Sequence, residues 1–146
     1  MVKSYQGSRI EVEVPKKSMQ VADYMAKKLI TFRPDQPMGE VIATLLKYKI
    51  SGAPVINEAN ELIGVISEGD CLKQIIKGRY DNMPFMTGYV REHMATNVVT
   101  ISPETNIFDA AKMFLDRRLR RFPVTHEGKL IGQISQKDIM RAVKGI

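Results

Sequence analysis

Apolar residues at Met38, Val41, Ile42, Leu45 and Leu46 fall at i, i+3, i+4, i+7 and i+8, the spacing that lines one side of an α-helix. The same offsets return at Ile107, Ala110, Ala111, Phe114 and Leu115. A brief apolar run precedes each helix, LITF at 29–32 and VVTI at 98–101. Pro34 or Pro103 stops each run two residues on, as expected of short strands. Behind each helix lie two further apolar runs joined by a polar turn: APVI and LIGVIS around 57–61, FPVT and LIGQIS around 126–129. A closing helix carries Cys71, Leu72, Ile75 and Ile76 in the first case and Ile139, Met140 and Val143 in the second. Short amphipathic segments, VADYMAKK and VREHMATN, lead in. The pattern predicts an α/β fold in the order β-α-β-β-α, written twice.

The two halves match in register. Residues 21–58 lie over 90–127 and, after a one-residue gap near Ala59, residues 60–75 lie over 128–143. Identities include Val21/Val90, Met25/Met94, Thr31/Thr100, Pro54/Pro123, Val55/Val124, Gly64/Gly132, Ser67/Ser135 and Asp70/Asp138, a density that marks a duplicated unit. The expected division is an N-terminal extension at 1–20, a first repeat at 21–77, a connector at 78–89 and a second repeat at 90–146. Within the extension, IEVEV alternates like an edge strand. One such unit buries too little surface to stand comfortably alone. Two packed sheet against sheet with pseudo-twofold symmetry would share a core and leave a cleft between them, a favoured place for a ligand.

Each copy of the third strand ends on a serine followed three residues later by an aspartate, Ser67 with Asp70 and Ser135 with Asp138. That order describes a strand running into a helix, with the serine at the cap. Two readings stay open. The pair is an ordinary capping arrangement, or the helix start and hydroxyl hold a phosphate while the carboxylate accepts from vicinal hydroxyls such as those of ribose. The densest charge cluster, Arg117, Arg118, Arg120 and Arg121, reads as a solvated helix end or as a phosphate contact where it meets the Pro-Val step.

Composition narrows the classes. With 146 residues, 44% hydrophobic and 26% charged, the chain is of globular composition and ordinary domain size. A net charge of +6 suits an anionic partner: nucleotide, nucleic acid or acidic protein. The single cysteine, Cys71, cannot form an internal disulfide and sits in an apolar pattern, which makes it core filler rather than a reactive thiol. No apolar run reaches membrane-spanning length and the N-terminus lacks a signal-peptide core, so the default location is the cytoplasm. His93 and His126 have no companions at metal-ligand spacing, and no nucleophilic or general acid–base set emerges.

Taken together these features resemble a tandem pair of CBS domains, the Bateman module, over about residues 21–143. The carriers are the element order, the hydrophobic–Pro–Val step (Ala53-Pro54-Val55 and Phe122-Pro123-Val124), and the Gly-h-h-Ser-x-x-Asp corner at 64–70 and 132–138. The resemblance implies a regulatory sensor that is not an enzyme and carries no cofactor. An adenosyl ligand (AMP, ADP, ATP or S-adenosylmethionine) would bind in the cleft and pass a shape change to a partner. It implies Asp70 and Asp138 at the ribose hydroxyls and Ser67 and Ser135 at phosphate. Thr31 and Thr100, with Ala53, Pro54, Val55, Phe122, Pro123 and Val124, would frame the adenine. Arg120 and Arg121 stand where the family often has a basic residue, whereas the first repeat has Ser51 and Gly52 there. The resemblance further implies a homodimer. A stand-alone module, with no catalytic or transport domain attached, would regulate a separate polypeptide. The alternatives are a dimerisation adaptor that binds no ligand, and an RNA- or DNA-binding protein using the basic surface.

Overall fold

Each Pro-Val step opens an antiparallel hairpin. The computed structural model describes residues 18–81 and 87–145, so the alternating IEVEV run and the middle of the connector lie outside the described residues. In the first half, α1 (Met38–Tyr48) leads to β1 (Gly52–Ile56), β2 (Leu62–Ser67) and α2 (Glu68–Tyr80). After α3 (Val90–His93), the second half repeats this as α4 (Ile107–Arg117), β3 (Arg121–His126), β4 (Lys129–Ser135) and α5 (Gln136–Lys144). The hairpin registers correspond: Ala53 faces Ile66 and Phe122 faces Ile134, each with an irregularity one residue after the Pro-Val step.

The leading strand of each repeat contracts to a single parallel bridge, Phe32 with Val55 and Ile101 with Val124. Phe32 donates its N–H to the Pro54 carbonyl at 2.9 Å, and Ile101 donates to Pro123 at 3.0 Å. Pro34 and Pro103 follow two residues on and have no N–H to extend the ladder. At the far end, α2 runs on to Tyr80, so the first residues of the expected connector are helical. Both α1 and α4 end on a residue in left-handed conformation, Lys49 (φ 54°) and Arg118 (φ 57°), which turns the chain into the following strand.

The lead-in segments do not pack in their own halves. Val21 lies in the core formed by Ile107, Phe114, Phe122 and Ile134, while Val90 lies in the core formed by Met38, Leu45, Val55 and Ile66. Main-chain bonds fix this exchange. Val21 N–H donates to the Thr105 carbonyl at 2.8 Å and Val90 N–H to the Gln36 carbonyl at 2.9 Å. Further along, Ala26 and Gln133 exchange hydrogen bonds of 2.8 and 2.9 Å, and Ala95 and Val65 exchange two of 2.9 Å. Each hairpin therefore gains an outer edge from the other repeat. The turns of the two hairpins meet on the pseudo-twofold axis, where Leu62 donates to Gly128 and Leu130 donates to Asn60, both at 3.0 Å.

The two cores hold similar bulk in different places. Phe32, Met38, Leu45 and Ala53 of the first half stand where Ile101, Ile107, Phe114 and Phe122 stand in the second. A phenylalanine lost at Ala53 is replaced by one at Phe32, which keeps the volume that a close-packed interior requires. In the second half Phe114 and Phe122 lie against each other with ring centroids 4.6 Å apart and planes tilted by 39°.

The amphipathic stripes are only partly buried. Met38, Val41 and Leu45 of α1 and Ile107, Ala110 and Phe114 of α4 face the cores. Leu46 is 73% exposed and its counterpart Leu115 is 78% exposed. Leu72 and Ile76 on α2, and Met140 and Val143 on α5, are also exposed. What α2 buries instead is Cys71, Gln74 and Gly78.

Candidate functional site

A cleft of about 410 Å³ lies where the two halves meet. Its first wall comes from the α1–β1 turn and the hairpin behind it, Ser51, Gly52, Ala53, Pro54, Val65 and Ser67. The opposite wall carries Leu119, Arg120, Arg121 and Pro123 from the α4–β3 turn, together with Gln133 of β4. The segment after α3 closes one side with Ala95, Asn97, Val98 and Val99. Because Ala95 is bonded to Val65, this side is anchored on the first half although it belongs to the second repeat. The cavity is of a size that small molecules and cofactors occupy.

Of the residues singled out in the sequence, Ala53, Pro54, Ser67, Arg120, Arg121 and Pro123 line the cleft. Val55, Phe122 and Val124 are fully buried with their side chains in the two cores, so only their main chain is left to frame a ligand. Thr31 is half-buried beside Phe32, and Thr100 is exposed beside Ile101; neither lines the cavity. Ser51, Gly52, Val65, Gln133 and residues of the 95–99 segment also line it, beyond the site residues that the sequence nominates. Val65 and Gln133 carry a readable signal, since each follows the corner glycine on the strand face opposite the core.

Both corners form capping boxes. Ser67 N–H donates to Asp70 Oδ2 at 2.9 Å, and the Ser67 hydroxyl donates to the same oxygen at 3.0 Å. Asp70 N–H returns a long bond of 3.4 Å to Ser67 Oγ. In the second corner Ser135 N–H donates to Asp138 Oδ2 at 2.9 Å, and Asp138 N–H donates to Ser135 Oγ at 3.2 Å. The aspartates thus fold back over their own helix starts instead of projecting from the first turn, and they occupy donors that would otherwise meet a phosphate. Each keeps its Oδ1 outside the box. Asp138 Oδ1 takes an ion pair from Arg141 Nη1 at 2.9 Å, whereas Asp70 Oδ1 has no hydrogen-bond partner among the described residues. Ser135, Asp70 and Asp138 do not line the cavity themselves.

Cys71, one residue past the first corner, is buried in the core of the first half. Desolvation pushes its thiol pKa up, and the neighbouring Asp70 and Glu68 carboxylates add to the effect, so the thiol stays protonated and unreactive. No group of three His, Cys, Asp or Glu side chains among the described residues is placed to hold a metal ion. No described helix is long and apolar enough to cross a membrane.

Comparison with known proteins places this geometry. An uncharacterised protein of Methanocaldococcus jannaschii is 30% identical over 86% of the chain and 91% of its own length. The chain spans between 25% and 63% of four further curated relatives. Among solved structures, CBSX2 of Arabidopsis thaliana in complex with AMP is 28% identical, covering 86% of this chain and 96% of that one at a TM-score of 0.75. The CBS domain pair of protein MJ0100, solved with 5-methylthioadenosine and S-adenosyl-L-methionine, shares the fold (TM-score 0.69, 24% identity, 88% and 98% coverage). The CBS domain profile matches residues 21–77 and 90–145, and the chain belongs to that family as a tandem pair of CBS domains.

Proposed function

We propose that the cleft binds an adenosyl ligand and that the protein regulates a separate partner rather than catalysing a reaction. The observation that carries this reading is the cavity of about 410 Å³ walled by both Pro-Val steps. It is supported by the AMP complex of CBSX2, 28% identical over most of both chains. In this reading Asp70, through an Oδ1 that has no partner among the described residues, accepts from the ribose hydroxyls beside Ser67, and Arg120 and Arg121 approach the phosphate. Asp138 is the weaker candidate for the ribose because Arg141 already holds it. Ala53, Pro54 and Pro123 would frame the adenine, with main chain from Val55, Phe122 and Val124; Thr31, Thr100 and Ser135 stand farther out in the same proposal. A ligand touching both walls and the 95–99 segment favours one relative setting of the halves, which is how binding shifts the population a partner meets.

Isothermal titration with AMP, ADP, ATP and S-adenosylmethionine tests the reading. At least one compound is expected to bind, and Asp70→Asn is expected to weaken it about tenfold while keeping a side-chain oxygen for the cap. Silence across all four compounds would sink the proposal and leave an adaptor role.

A homodimer and a cytoplasmic setting belong to the same proposal. The exposed Leu46 and Leu115, with Leu72 and Met140 on the partner helices, offer apolar helix faces that a second copy would cover. Leu46→Glu with Leu115→Glu is therefore expected to halve the mass measured by sedimentation. An unchanged mass would count against this interface.

A further inference from the structure

We propose that the first repeat carries a second small-molecule site, apart from the adenosyl cleft, which takes a zwitterionic α-amino acid. A cavity of about 370 Å³ opens between the end of α2 and the start of α3, and it shares no lining residue with the cleft. Gln74 of α2 lines it at only 6% exposure. Its amide nitrogen donates to the Thr87 carbonyl, but its Oε1 has no hydrogen-bond partner among the described residues. A buried acceptor without a donor weighs against folding, and a donor on a ligand removes that cost. Around Gln74, Asp81 and Glu92 present carboxylates, while Lys77 and the half-buried His93 present nitrogens. Glu92 Oε1 accepts from the Tyr89 N–H at 2.7 Å, and Oε2 stays outside that bond.

The second repeat builds the same place without these groups, so the fold itself does not require them. Gly88 and Met19 are equivalent: Met38 donates its N–H to the Gly88 carbonyl at 3.1 Å, and Ile107 donates to that of Met19 at 2.7 Å. Met19 packs against the second core. Gly88 has φ 85°, and a Cβ there would lie 2.7 Å from Glu92 Oε1 and 3.1 Å from His93 Nε2, so this side of the cavity stays bare. The counterpart of the Thr87 carbonyl is that of Ser18, which accepts from the Tyr24 hydroxyl at 2.7 Å. Tyr24 stands where the first repeat has His93, and Ala142 where it has Gln74. The first repeat thus trades a tyrosine and an alanine for an imidazole and a buried amide beside one hollow. An ammonium group donates to Gln74 Oε1 and to a carboxylate, and the carboxylate of the same molecule accepts from Lys77 and His93. Groups of both kinds in one small cavity suit a ligand that carries both charges.

The test is titration of the full chain with each of the twenty common amino acids, followed by NMR of the imidazole protons. The chain has two histidines, so His93 reports from the cavity and His126 from outside it, and His126→Gln assigns the two signals. At least one amino acid is expected to shift His93 and leave His126 in place. Its analogues lacking the carboxylate or the ammonium are expected to bind about thirtyfold more weakly, the size of one charge-assisted contact. Gln74→Ala, which copies Ala142, is expected to weaken binding about tenfold. Should that variant fold poorly, the analogue comparison on the unaltered chain still decides. Silence of His93 across all twenty, equal shifts at both histidines, analogues that bind as well as the amino acid, or undiminished binding by folded Gln74→Ala overturns the inference. None of these results touches the adenosyl reading, because no cleft residue is altered.

Discussion

Alanine at Gly64 is expected to lower the thermal unfolding midpoint by about 6 °C, and alanine at both Gly64 and Gly132 by about twice that. A Cβ on Gly64 would lie 2.6 Å from Met94 Sδ and 2.9 Å from the Ala95 carbonyl oxygen. The thioether can swing aside. The carbonyl cannot, because Ala95 is held by two main-chain bonds to Val65, and relief means pulling that edge off the hairpin. Overpacking of this kind costs about 2 kcal/mol. Gly132 repeats the situation against Met25 Sδ (2.5 Å) and the Ala26 carbonyl oxygen (2.9 Å). The two seams use different partners, so their losses add. Gly39→Ala makes the same chemical change with the opposite sign. No atom of the described residues lies within 4 Å of its added Cβ and it sits in α1, so a gain of about 0.5 kcal/mol is expected. Thermal melts followed by circular dichroism measure all three variants. Equal midpoints for Gly64→Ala and Gly39→Ala would refute the steric account.

Phe122→Ala is expected to cost about 4 kcal/mol, read as a lower denaturant midpoint at unchanged slope. The ring is fully buried, packs against Phe114 and faces Ile134 across the hairpin, so its loss leaves a cavity that the strand pair cannot collapse. The first half carries Ala53 at the equivalent position and fills the space from Phe32. Adding Ile101→Phe to Phe122→Ala copies that solution, and it is expected to recover about half of the loss. A double variant no more stable than the single one would show that the two cores are not interchangeable.

The element order was legible because both periodicities are written twice, and identical residues such as Pro54/Pro123 and Gly64/Gly132 fix the register. The burial of Cys71 followed from its neighbours in the same way. Other features need a partner that the local pattern does not name. Identity at Val21/Val90 and Met25/Met94 marks those residues as core without saying whose core, and they turn out to serve the opposite half. The stripe that includes Leu46 and Leu115 is wider than the face each unit buries, so periodicity alone marked exposed leucines as interior. The Ser-x-x-Asp corner admits a cap or a ligand contact from sequence. The structure shows the cap in both copies, and the difference between them comes from Arg141, three residues beyond Asp138. Nothing in the local pattern of segment 95–99 marks it as cleft wall, because that role depends on the Ala95–Val65 bridge, a contact between repeats.

That crossing of lead-in segments bears on how the chain folds. Val21 reaches its hydrogen-bond partner Thr105 only after a loop spanning most of the protein has closed, and neither repeat has its full interior until the other is present. Long-range closure of this kind slows folding, and it ties both repeats into one cooperative transition. A polypeptide cut between α2 and α3 would leave each fragment short of a valine plug and a sheet edge, so the halves would gain structure together or not at all.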